Sequence, residues 1–94
     1  MDSKMNKKLY KRIDIWKRIS KEKVARYICY EILGKKEFCV QQVDFFYYPV
    51  NKSQLERSEL QAVELLLDTP PEERAEKVFS SLAEAIQAHD EEFL

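Results

Sequence analysis

The chain has 94 residues, 45% hydrophobic and 35% charged, with a single Gly and three Pro. That composition excludes a low-complexity or disordered chain and sets the scale at one domain. No run reaches the ~18 apolar residues of a membrane helix, the start Met1-Asp2-Ser3-Lys4-Met5-Asn6-Lys7-Lys8 lacks the apolar stretch of a signal peptide, and the formal net charge of −1 selects no partner by itself.

Residues 1–8 read as a flexible basic N-terminus and 9–94 as one α+β domain, with a sheet over 9–48 and a helix pair over 53–90. Leu9 to Ile19 alternates around Asp14 and contains Trp16, the pattern of a first strand. Ser20-Lys21-Glu22-Lys23 is its turn. Val24 to Leu33 is rich in β-branched and aromatic residues, with Val24, Ile28, Tyr30 and Ile32 alternating around Arg26. The same stretch fits a helix capped by Ser20 and stopped by Gly34, because Val24, Ile28 and Ile32 also have helical spacing; its residue types favour the strand. Gly34-Lys35-Lys36 marks a hairpin turn into a third strand, which runs from Glu37 to Tyr48 and ends at Pro49.

Ser53-Gln54-Leu55-Glu56 has the form of a capping box. Leu55, Ala62, Val63, Leu66 and Leu67 then fall on one helical face, which predicts a helix from about Gln54 to Asp68. Thr69-Pro70-Pro71-Glu72 is a second start signal, with Thr69 as cap and Pro70 at the first helical position. Ala75, Val78, Phe79, Leu82, Ile86 and Phe93 continue as a stripe and predict one helix from Pro70 to about Asp90. The expected architecture is β-β-β-α-α: a three-stranded antiparallel meander followed by two helices packed on the sheet.

Charge divides along the same line. Residues 1–48 carry twelve Lys and Arg against six acids, and residues 49–94 carry four against eleven. The asymmetry bears on association rather than fold. Either the basic half packs against the acidic half, or a basic face stays open to an acidic partner. Aromatic content points the same way. Trp16, Tyr27, Tyr30, Phe38, Phe45, Phe46, Tyr47 and Tyr48 cannot all face inward, because adjacent strand residues point to opposite sides of the sheet. Either helices cover both faces or one face carries exposed aromatics, which mark interaction sites.

Catalytic chemistry is sparse. The single histidine, His89, continues the helical stripe near the helix C-terminus, where a partly buried and dipole-favoured imidazole is the simplest reading. Cys29 and Cys39 flank the Gly34 turn, are offset from one another by its length, and read as reduced, buried thiols. No phosphate loop is available to a chain with one glycine. No metal, cofactor, small-molecule substrate or catalytic residue is expected. The expected function is a non-enzymatic, cytoplasmic protein–protein interaction module that uses exposed aromatic and basic sheet surface, with self-association as a homodimer among its forms. The residues expected to carry it are Trp16, Arg18, Arg26, Tyr27, Tyr47 and Tyr48, the types that dominate interface hot spots. The alternative is RNA binding by the same basic, aromatic face, with bases stacked on its rings.

Overall fold

A computed structural model describes residues 7–93. Of the segment expected to be a flexible N-terminus, residues 1–6 lie outside the described residues, and Lys8 is ion-paired to Glu72 at 2.7 Å. The architecture is the expected α+β one: β1 (Tyr10–Ser20), β2 (Lys23–Ile32) and β3 (Glu37–Tyr47) form one antiparallel sheet in the order β1-β2-β3, followed by helices. The helical alternative for the second segment is not adopted. At the second turn Gly34 has φ of 88°, in the left-handed region that suits glycine, and Lys36 follows at 53°.

Among the described residues three helices succeed the sheet, not two: α1 (Lys52–Asp68), α2 (Pro71–Ala75) and α3 (Leu82–Phe93). The expected single helix from Pro70 to Asp90 is broken. Glu76 takes a left-handed conformation at φ 66° and ends α2. Phe79 then pairs with Phe38 on the outer edge of β3, through reciprocal backbone bonds of 2.8 and 2.9 Å. The Ser81 hydroxyl accepts from the Glu84 N–H at 3.1 Å, and Ser80 donates to the Glu84 carboxylate at 2.9 Å, so α3 starts with its own cap. The reason for the break is that the sheet has two apolar faces and a straight helix serves one. Val78 packs with Ile28, Tyr30 and Cys39 on one face. Phe79, Leu82 and Ile86 pack with Ala25, Tyr27 and Cys29 on the other. The chain rounds the β3 edge between them, leaving α1 and α2 on the first face and α3 on the second.

Two smaller corrections concern helix starts. α1 is capped by Asn51, whose side-chain oxygen accepts from the Gln54 N–H at 3.2 Å, so Ser53 and Glu56 lie inside the helix and form no capping box. Pro71, not Pro70, is the first residue of α2, and Thr69 donates to Asp68 instead of capping. The buried face of α1 also differs from the expected stripe. Ser58 and Ala62 are buried with Leu55 and Leu66 beside them, whereas Leu60, Val63 and Leu67 are exposed. Ser58 faces a buried arginine, and its position sets the rotation of the helix.

Cross-strand register fixes which residues share a face. Arg26 lies between Trp16 and Asp44, Tyr27 between Ile15 and Val43, and Arg18 beside Val24 and Phe46. Ile28 pairs with Gln42 and Cys29 with Val40, so Gln41 is the extra residue of a β-bulge. Cys29 and Cys39 are free, fully buried and packed on opposite faces. Burial pushes the Cys29 thiol up to about 12 and the Cys39 thiol up to about 11. Since the thiolate is the reactive form, neither cysteine is expected to react with Ellman's reagent while the chain is folded, and both are expected to react in denaturant. Titration of native protein that consumes reagent at either position would contradict this packing.

Candidate interaction surface

The six residues expected to bind a partner divide into two groups. Arg26 and Tyr27 are buried, at 4% and 2% exposure. Trp16, Tyr47 and Tyr48 are exposed at 54%, 48% and 76%, and Arg18 is exposed with them. The expectation that Arg26 and Tyr27 present themselves at an open sheet face is therefore corrected: helices lie on both faces, and α1 covers Arg26 while α3 covers Tyr27.

Arg26 is buried because it is paired. Its guanidinium donates to Glu59 at 2.6 Å and to the Ser58 hydroxyl at 2.5 Å, and lies 3.7 Å from the Asp44 carboxylate. The Ser58 hydroxyl in turn donates to Asp44 at 2.6 Å. Arg12 also holds Glu59, with two bonds of 2.8 and 2.9 Å, one of them to the oxygen that Arg26 binds, and it binds Asp14 as well. The two arginines thus tie all three strands to α1. A buried charge without such partners would be costly. The Trp16 and Phe46 rings flank the guanidinium at 5.6 and 5.2 Å, which is cation–π distance. On the other face, the Tyr27 hydroxyl donates to Asp90 of α3 at 2.9 Å.

The exposed members meet at the end of the sheet where β1 turns into β2 and β3 leaves for α1. The Tyr48 N–H donates to the Glu22 carbonyl at 2.9 Å and closes this end. Trp16, Arg18 and Val24 share one face; Lys23 lies over the Phe45 and Tyr47 rings of the other, at 4.7 and 5.5 Å. Ile19 and Val50 are exposed beside them. The charge is largely basic here: Lys17, Arg18, Lys21, Lys23 and Lys52 against Glu22. Elsewhere the acidic helices neutralise the basic strands, through Lys8–Glu72, Arg12–Glu59 and Arg26–Glu59. At this end Lys17 approaches Asp90 at 4.0 Å, while no ion pair to Arg18, Lys21 or Lys23 occurs among the described residues.

A second feature has no counterpart in the sequence reading. A cleft of about 920 Å³ runs beside the outer edge of β3, bounded by Leu65 of α1, Arg74 of α2, and His89 and Phe93 of α3. His89 is half-buried, stacked on Phe93 at 4.7 Å, and held below its ordinary value by burial, against the opposing pull of Asp90 and Glu92. Among the described residues, four buried side-chain polar atoms lack a hydrogen-bond partner: Arg26 Nε, Gln41 Oε1, Arg74 Nε and His89 Nδ1. The last three belong to residues that line this cleft.

No protein family, curated protein or solved structure matches the chain. No helix among the described residues is long and apolar enough to cross a membrane.

The arginine network predicts a pH response. Hydrogen bonds from Arg12, joined by Arg26, hold the Glu59 carboxyl down at about 2, against an ordinary value of 4.5. A carboxyl depressed by folding stabilises the fold fully above its unfolded value and loses that contribution as pH falls through its folded one. Glu59→Gln should lower the urea midpoint at neutral pH, and the gap to the parent should close between about pH 4.5 and 2. A gap independent of pH across that window would contradict the network.

Proposed function

We propose that the chain is a small non-enzymatic protein-interaction module, which docks the basic, aromatic end of its sheet onto an acidic surface of a partner protein. The supporting observation is the gathering of Trp16, Arg18, Tyr47 and Tyr48, all exposed, at one end of the sheet beside Lys21 and Lys23, with no ion pair to Arg18 or to either lysine among the described residues. Tyr, Trp and Arg supply large contact areas at low entropic cost, and such anchors carry most interface energy. Trp16 is also held from behind by Arg26 and Phe46. An anchor already fixed in place loses less freedom on binding. The exposed cations speed encounter with an acidic surface and orient it.

RNA is the less favoured partner. A sheet that stacks bases presents its central rings to solvent, and here Tyr27, Tyr30 and Phe46 are buried under helices. Two free, buried thiols suit a reducing compartment, so the cytoplasm is the proposed location.

The reading is tested by capturing partners on the tagged full chain, purifying the captured protein and measuring its affinity directly. Trp16→Ala, Arg18→Glu and Tyr48→Ala should each weaken binding by about tenfold or more, on the scale of ~1.4 kcal/mol per decade. Leu67→Glu, on the exposed side of α1, should leave it unchanged. Affinity should fall with added salt. A partner indifferent to all three substitutions, or an RNA oligonucleotide bound in preference to any protein, would contradict the proposal. Sedimentation of the chain alone reveals whether a second copy is the partner, in which case the same substitutions shift the protein to monomer.

A further inference from the structure

We propose that the cleft beside β3 is a separate binding site, which takes an extended peptide segment by main-chain pairing. The chain itself already pairs with the β3 edge, since Phe38 and Phe79 exchange two backbone hydrogen bonds in an isolated bridge. In an antiparallel ladder, alternate residues turn both backbone groups to the same side. Phe38 turns outward, so Val40 does as well. Past the bulge at Gln41 the outward set becomes Val43 and Phe45, and the Phe45 carbonyl is reached from outside by the Gln54 side chain at 2.8 Å. Between the Phe79 bridge and that bond, the edge from Val40 to Val43 has no further backbone partner outside the sheet, and its Val40 and Gln41 line the cleft.

The walls add a second argument. The sheet edge forms the floor, with α1 and α3 rising on its two sides because the chain crosses from one face to the other at Phe79. Edge and helix together make the groove geometry in which strand addition binds peptides. The volume of about 920 Å³ falls within the range of ligand clefts.

The lining selects the chemistry. The Gln41, Arg74 and His89 side chains border the cleft, and each holds one buried polar atom with no partner: an amide oxygen, a guanidinium N–H and an imidazole nitrogen. A single ion cannot serve all of them: the charged lining is mixed, with Arg74 and Lys77 set against Glu76, Glu91 and Glu92. A peptide backbone carries donor and acceptor at every residue and no net charge. The bulge is what turns the Gln41 side chain to this place, a use of bulges common beside functional sites. At ~3.4 Å per residue, the open edge accommodates a segment of about four residues, with apolar side chains against Leu65 and Phe93.

The site is tested with a phage-displayed library of random twelve-residue peptides, panned on the full chain. Selected peptides are synthesised and their affinities measured by fluorescence anisotropy, and their footprints by amide chemical-shift changes. The expected result is peptides whose shifts fall on Val40 to Val43 and on α3. Their affinity should fall at least tenfold with Ala88→Trp, which fills the cleft, and with Gln41→Ala, and should be unchanged by Trp16→Ala. If Ala88→Trp fails to fold, Gln41→Ala carries the comparison. A library that yields no binder overturns the inference, as do shifts confined to the Trp16–Tyr48 end or full affinity in folded cleft variants. Because Trp16→Ala is expected to weaken one site and spare the other, failure here is distinguishable from failure of the proposed protein-docking surface.

Discussion

The single bridge between Phe38 and Phe79 is the constraint on which the rest of the molecule depends. β2 places Tyr27 and Tyr30 on opposite faces, both buried. A three-stranded sheet of this kind is stable only if both faces are covered. The chain leaves β3 and lays α1 on one face. To cover the other it must round an edge, and the edge nearest is that of β3 itself. Glu76 in the left-handed region ends α2, Phe79 ties the crossing strand to the sheet, and Ser81 starts α3. The cleft is a consequence of that route: where the chain crosses, it borders a strand edge with helices on either side.

Arg26 is the second determinant, and it links the core to the surface. In the centre of β2, facing α1, a guanidinium survives only because Glu59, Ser58 and Asp44 converge on it. A pair of this kind is weak as a source of stability, yet removing one partner is expensive. Its structural effect is registration. Ser58 and Glu59 fix the rotation of α1, and this leaves Leu60, Val63 and Leu67 outside. Its surface effect is support for Trp16. The exposed face of that indole belongs to the proposed docking surface, and its inner face rests against the guanidinium.

Much of the fold was legible in the residues. β-branched and aromatic density in 24–33 outweighed a helical spacing that also fitted, and Gly34 marked the turn it occupies. The helical half was less legible for a definable reason. Ala75, Val78, Phe79, Leu82 and Ile86 have the spacing of one helix face, but spacing does not reveal that two faces need cover. The signal against a continuous helix was Ser80-Ser81-Leu82-Ala83-Glu84, a start sequence inside the stripe. Likewise Arg26, flanked on its face by Val24 and Ile28, was a charge in an apolar row, and such a charge is paired more often than presented. Of the candidate site, Trp16, Arg18, Tyr47 and Tyr48 were legible as strand residues in surplus of what a core holds. The cleft was not, because it arises from residues as distant as Gln41, Arg74 and His89, joined only by the crossing.

The central claim is that both faces of the sheet are covered and that the aromatic surplus emerges at one end. Hydroxyl-radical footprinting of the full chain, read residue by residue by mass spectrometry, tests it in one measurement. The account predicts strong labelling of Trp16, Tyr47 and Tyr48, with Tyr27, Tyr30 and Phe46 protected until the chain is denatured. Labelling of Tyr27 or Tyr30 in the native chain at the level of Tyr48 would mean that a sheet face stands open, and would contradict it.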